Sequence, residues 1–519
     1  MLPDFSRAGY HAGEIGIPDA FPRLATFDVT AYGAVPDDTA CDQAAIERAV
    51  RAAEAAGGGV VFFPRGEFLV NSDPENTRGI VISRSNIVLK GSGSGPGGTV
   101  IFMVNHMRKA NPQVLWGNEY MFTFKAPGFT LHGSNLPRRK YETMSTLAAP
   151  AARGSSTLEL ADVRGFAAGD RILAWSESAR PAWVAEQLQG REPGESWERI
   201  RTRGVAIQEM SRVVEVLPAA ASAGEGPQPG KLVLAIPLST VMHREDGWLV
   251  SPLPYIEECG FEDIHFRGNF QEEFVHHKNY IHNTGWQGVK MLGAINSWVR
   301  RCVFTDVNGG VILEGTLHCS ILLNRMAGNR GHTSFSATFG GHNLIGCNTA
   351  DEDRGGVNGA HGAGASHLAH HTVVWRYRSA VRGLDFHGTF PRNTLSDCFT
   401  SDVVTRHGGN YKDLPNHMGG LVIWNFRHTG KAVANYDFWN LQPRPGSKYV
   451  NSLTALDPVV VGLHGARTTI KPSSARVESE GRAVEPESLY EAQLRLRLGH
   501  LPPWVDEVKA GWERLLRQP

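Results

Sequence analysis

The chain has 519 residues, 41% hydrophobic and 20% charged, enough for two or three ordinary domains or for one extended repeat array with attachments. Lys+Arg and Asp+Glu balance at 52 each, so no global field draws the protein to nucleic acid or to an anionic membrane. No run approaches the ~18–20 apolar residues of a membrane span, and neither partner is expected. The six cysteines, at 41, 259, 302, 319, 347 and 398, form no CxxC and no short-spaced Cys/His set, so no metal cluster is expected and most read as buried free thiols. The first residues, MLPDFSRAGYHAGEIGIPDAF, show neither a basic start nor an apolar run, so no signal peptide is read. The protein is expected either to stay inside the cell or to begin after a removed signal. Glycine is abundant, at 58 residues, which favours many tight turns and directs attention to repetition.

Residues 27–70 divide into strand, turn, helix, glycine turn and strand. Ala45, Ile46, Ala49, Val50 and Ala53 recur at helical spacing to make one apolar face, and Gly57-Gly58-Gly59 ends the helix. Val60 to Phe63 supply a β-branched and aromatic strand, and Pro64-Arg65-Gly66 turns into the next, Glu67 to Val70. Tyr32-Gly33-Ala34, Asp37-Asp38-Thr39, Ala45-Ile46, Gly57-Gly58-Gly59, Pro64 and Gly66 together resemble the opening of the pectate-lyase-like right-handed β-helix superfamily. That resemblance implies a helical cap before the first coils. It assigns no reaction, because the superfamily includes lyases, glycoside hydrolases, uronate epimerases and phage tailspikes.

The glycine-rich run at 91–98 follows a strand but leads into another strand, Thr99–Met103, so the helix N-terminus of a phosphate loop is absent. Short strand patterns between 154 and 240, around a polar stretch and an Ala/Gly/Pro loop, read as a small β insert. Beyond it, Cys259-x-Phe261-x-Asp263, Cys302-x-Phe304-x-Asp306, Cys347-x-Thr349-x-Asp351 and Cys398-x-Thr400-x-Asp402 suggest one strand recurring on one face. Intermediate strands beginning at 279, 324, 373 and 422 complete a series with steps of 20 to 26 residues, close to one turn of a parallel β-helix. The four cysteines are therefore expected to stack on one buried face. Leu489, Ala492 and Leu496 make a helical stripe, and residues 504–516 read as a second helix, expected to cap or clasp the end of the array. The fold class is thus all-β: a right-handed parallel β-helix with an N-terminal capping helix, a small β insert and C-terminal helices. Its parts are 1–153 (cap and first coils), 154–240 (insert), 241–470 (main β-helix) and 471–519 (helical extension).

Fifteen of the 21 histidines lie between His265 and His428, where 15 Lys+Arg face 11 Asp+Glu. A local basic excess suits an anionic sugar. His361, His387 and Lys412 each stand fourteen residues after an anchor of the series (347, 373 and 398), so they are expected to line one groove as catalytic groups, with Tyr411 beside Lys412. Arg392, His332 and Trp375 are expected to bind substrate. β-Elimination on a uronate needs a group that neutralises the carboxylate, a base near C5 and an acid for the leaving oxygen, and His, Lys, Arg and Tyr supply all three. No cofactor is required, although calcium can act as the neutraliser, with Asp351-Glu352-Asp353 as its candidate site. A glycoside hydrolase would instead pair carboxyl groups from among Asp351, Asp353, Asp385 and Asp402. The leading expectation is a lyase acting on a uronate-containing polysaccharide. The alternatives are a glycoside hydrolase, a uronate epimerase and a non-catalytic glycan binder.

Overall fold

The computed structural model describes residues 2–19, 24–130, 144–219, 227–351, 361–380, 383–402, 411–442, 446 and 453–517. Three parallel sheets run along the molecule, of twelve, ten and seven strands among the described residues. From Gly59 to Asp385 each full coil contributes a strand to each in turn; among the described residues the later coils add strands to the first and second only. The fifth full coil, for example, supplies Ser320–Leu322 to the first sheet, Arg325–Ala327 to the second and Thr333–Thr338 to the third. The strand of the next coil pairs in register with each of these: Ser320 with Leu344, Arg325 with Thr349, and Ser336 with Gly364. This is the expected parallel β-helix. The capping helix, Gln43–Ala55, buries Ala45, Ile46, Ala49, Val50 and Ala53 against the first coils, as its apolar spacing predicts.

The first and second sheets meet at a two-residue corner whose first residue is left-handed. Asp263, Arg301, Leu323, Cys347, Arg376, Cys398 and Asn425 occupy that first position in successive coils, all with φ between 48° and 60°. Inside the coil just past that position, stacking is polar and then aromatic. Asn324 donates through Nδ2 to Asn348 Oδ1 at 3.0 Å and accepts from the Cys302 amide at 2.9 Å. Tyr377, Phe399 and Phe426 continue the column as rings 5.1 and 5.3 Å apart.

The cysteine series does not form one column. Cys259 stands just before a strand of the first sheet (Gly260–Glu262), Cys302 just before a strand of the second (Val303–Thr305), and Cys347 and Cys398 at the corner between them. Cys347 packs outward with Trp375, Tyr490 and Trp504, whereas Cys259 and Cys302 lie in the main core. The cysteine sharing a column with Cys259 is Cys319, which the series omitted: their amides donate to Ser297 Oγ and Asn343 Oδ1 at equivalent positions. The reason is local chemistry. A strand of either sheet can place Cys and Phe inward and end in a left-handed Asp, as Asp263 and Asp306 do, so the pentad marks a strand end without saying which sheet.

The insert is a six-stranded antiparallel sheet whose strands run from Ser145–Thr146 to Leu249–Pro252, wider than the 154–240 expected. Its helix Glu198–Arg203 packs on the short turn Tyr411–Asp413, which brings the insert against the late coils. The C-terminal helices, Leu489–Leu498 and Pro503–Leu516, lie along the outer face of the first sheet and not across its end. Asp397, fully buried, anchors them by accepting from Ser488 Oγ and from the amides of Leu489 and Tyr490. Asp397→Ala should therefore cost about 2–3 kcal/mol in chemical denaturation, and hydrogen exchange should show the amides of Leu489–Leu498 losing protection first. Unchanged protection there would contradict this anchoring role.

Candidate active site

The corner between the second and third sheets varies in length from coil to coil, and it gathers histidines. His276 and His277 come from the long segment between Arg267 and Gln287, and His332 immediately precedes the strand Thr333–Thr338. His361 stacks one coil above His332: it bridges Thr333 in parallel fashion, and its amide donates to the His332 carbonyl at 2.7 Å. Asp385 ends the next strand, Leu384–Asp385, and His387 follows it.

Their side chains form one contiguous row. Ring centroids are 5.3 Å apart for His276–His332, 4.7 Å for His332–His361 and 4.7 Å for His361–His387. His277 stacks on His276 at 3.6 Å, and Trp116 lies 5.0 Å from His277 and 5.4 Å from His332. Asp385 stands between two members of the row, with Oδ2 3.2 Å from His361 Nδ1 and Oδ1 3.8 Å from His387 Nδ1. The row grades outward from buried His332 and His361 to His387, with 35% of its side chain exposed, and Trp116, 46% exposed.

The electrostatics differ along the row. Burial alone would raise the Asp385 carboxyl, but the neighbouring imidazoles of His361 and His387 hold it well below the usual carboxylate range. Burial pulls His387 down, yet the neighbouring Asp385 carboxylate, with the charge of Asp413, leaves it raised. His332, desolvated and surrounded by other imidazoles, is held well below its ordinary value. Burial raises the Asp413 carboxyl, against the opposing charges of Arg199 and His387. One nitrogen from each of His276, His332 and His361 lies within 4.8 Å of the others, as do donor atoms of His361, Asp385 and His387. Such nitrogen-rich sets suit a transition metal better than calcium, which prefers oxygen.

The structure thus brings His332, His361 and His387 together but places the other expected groups elsewhere. Lys412 pairs with Glu198 of the insert at 2.5 Å, and it is the neighbouring Asp413 whose charge acts on His387. The side chain of Tyr411 lies outside the described residues. Arg392 is 8% exposed and donates to Glu209 at 2.5 Å, so its guanidinium holds the insert. Trp375 is fully buried on the outer face of the first sheet, where its Nε1 donates to Glu491. Asp351 is engaged by Arg378 at 3.2 Å, and Glu352 and Asp353 lie outside the described residues. The fourteen-residue spacing of the candidates was counted from unlike points: 347 and 398 are corner positions, whereas 373 begins a strand of the first sheet. His276, His277, Trp116 and Asp413 were not singled out. Adjacent histidines at 276–277 were a visible signal; nothing in the local sequence marks Trp116.

Residues 26–139 match the family described as rhamnogalacturonase A/epimerase, pectate lyase-like, which carries the resemblance seen in the capping segment, and residues 358–508 match a domain of unknown function, DUF4955. Over 79 residues, 15% of the chain, it is 43% identical to mannuronan C5-epimerase AlgE3 and 39% identical to alginate lyase 7, both of Azotobacter vinelandii. The chain spans only 4% and 9% of those two proteins. Among solved structures, the tailspike gp49 of Pseudomonas phage LKA1 aligns over 87% of this chain and 72% of its own, with 13% identity and a TM-score of 0.46. An exopolygalacturonase from Thermotoga maritima aligns over 92% and 95%, with 12% identity and a TM-score of 0.34. The family match at residues 26–139 and the three parallel sheets agree with the pectate-lyase-like fold expected from sequence.

Asp385→Asn should lower the titration midpoint of His387, read from its ring resonances by NMR. In the native protein the raised value means that this ion pair adds stability fully below about pH 6.5, and that the contribution is lost as pH rises through the folded-state value. A His387 midpoint unmoved by the substitution would show that Asp385 does not set it.

Proposed function

We propose that the protein is a polysaccharide lyase that performs β-elimination on a uronate-containing glycan lying along the histidine row. The observation that carries this reading is Asp385 set between His361 and His387 in a row that continues to His332. Two imidazoles of one row pushed in opposite directions, His332 and His387 on either side of His361, supply a base and an acid. In this reading neutral His332 takes the C5 proton. His387, held as imidazolium by Asp385, gives its proton to the glycosidic oxygen at C4. The C5–H and C4–O bonds break as the C4–C5 double bond forms, so atoms and charge balance. N–H groups of His276 and His361 are left to hold the substrate carboxylate, the role expected of Arg392. Trp116, exposed beside His277 and His332, offers a face on which a sugar ring can stack. The likeness over 79 residues to an alginate lyase and to mannuronan epimerases supports a uronate substrate. Removal of the C5 proton is a step that elimination and C5 epimerisation share.

A second reading, a glycoside hydrolase, is favoured by Asp413. It faces His387 with its carboxyl raised, while Asp385 is held ionised, the contrast that an acid and a base or nucleophile require.

Incubation with alginate, polygalacturonate and neutral glycans separates the readings. Ultraviolet absorbance of an unsaturated product together with new reducing ends is expected; reducing ends alone would mean hydrolysis. Deuterium uptake at C5 without cleavage would mean epimerisation. His387→Ala should lower turnover by on the order of 10²-fold or more, with the thermal midpoint little changed. Arg392→Ala should instead weaken the hold on the insert and lower stability. Full activity in His387→Ala would remove the row from the chemistry.

A further inference from the structure

A second group of histidines lies away from the candidate active site, at the corner where the third sheet leads back to the first. His342 comes from one coil, His370 and His371 from the next, and their relative exposures are 3%, 0% and 5%. The backbone fixes the coils to each other here: the His342 amide donates to the His370 carbonyl at 3.0 Å, and His370 forms parallel bridges to Gly341 below and Arg392 above. Gly341 has to be glycine for this, because a Cβ there would lie 2.3 Å from His370 Cε1. The His342 and His371 rings stack at 4.6 Å and 7°, and His370 stands edge-on to both, at 88° and 89°.

Three features of this group fit a metal centre. One donor nitrogen from each ring lies within 4.8 Å of the other two. The Nδ1 atoms of His370 and His371 are 3.1 Å apart, close to the roughly 3.3 Å that separates two nitrogens on a tetrahedral zinc with ~2.0–2.1 Å bonds. His342 Nδ1 is buried and has no hydrogen-bond partner, which a cation would supply by taking its lone pair. The surroundings complete the picture. Asn393, from the following coil, places its amide 3.3 Å from His371 Nε2; with the amide turned so that its oxygen faces the ring, it accepts from Nε2–H and leaves Nδ1 free to ligate. Arg392, the nearby cation, already has its charge met by Glu209. Asn393 also lines an open cleft of about 360 Å³ beside the insert.

We propose that His342, His370 and His371 bind a divalent transition metal of the zinc class, tying two successive coils together beneath the insert. Three neutral imidazoles with no carboxylate suit zinc and its neighbours and disfavour calcium or magnesium. This site is separate from the histidine row and does not depend on the proposed activity.

The test uses the full chain. After exhaustive dialysis against Zn2+ at low concentration, at least one tightly held equivalent per chain is expected, with Co2+ in its place giving the visible absorption of a tetrahedral nitrogen site. His370→Ala and His371→Gln should lose that equivalent, and His332→Ala should keep it. Because a variant in this corner can fail to fold, the wild-type protein provides a second reading: a chelator should lower its thermal midpoint by several degrees, and Zn2+ alone should restore it. Two results would overturn the proposal. One is wild-type protein that takes up no Zn2+ or Co2+ and ignores chelator. The other is a bound ion that survives His370→Ala and leaves with His332→Ala.

Discussion

The corner between the first and second sheets, two residues long with the first left-handed, is the constraint on which the rest of this structure depends. Because each coil from Asp263 to Asn425 makes this turn in the same two positions, the strands on either side stack in register without slack. Parallel strands ~4.8 Å apart then carry any column of like side chains along the axis, as with Asn324 and Asn348 or Phe399 and Phe426. Differences in coil length are displaced to the other two corners. Those are where the histidine row and the second histidine group stand, so the rigidity of one corner is what lets the others vary while their side chains stay aligned.

Two attachments modify the bare β-helix in different ways. The C-terminal helices cover the outer face of the first sheet, turning Trp375 and Cys347 into core residues. The insert contacts the late coils through Arg392–Glu209 and Lys412–Glu198, with Arg191 reaching Asp457. It walls one side of the late coils, and it takes up two basic groups that the sequence alone offered to a substrate. The row itself combines imidazoles with the carboxylates of Asp385 and Asp413.

Much of the fold was legible before any coordinates. The cap could be read because a helix followed by glycines and a β-branched strand has few alternatives, and the coil period because strands of 373–375 and 422–424 do begin first-sheet rungs. What failed was register. Cys, Phe and Asp recur at strand ends of both sheets, so the motif fixed the period while confusing the faces, and Cys319 went unnoticed in the true column of Cys259. His361 and His387 do meet, but through Asp385 and the irregular corner, not through a shared offset. Burial was the other blind spot: Arg392 and Trp375 look available in sequence, and only the insert and the C-terminal helices, distant in the chain, occupy them. Trp116 reaches the row from a long connection whose course no local pattern encodes.

The account stands or falls on whether a glycan chain lies on the histidine row. The most direct measurement is a titration of histidine-labelled Asp385→Asn protein with uronate oligosaccharides, followed through the ring resonances by NMR. The account predicts that His332, His361 and His387 shift together as the ligand saturates, with the Trp116 indole moving alongside them, while buried His370 and His417 stay in place. Saturable binding that leaves the row unmoved, or shifts confined to histidines elsewhere, would contradict it.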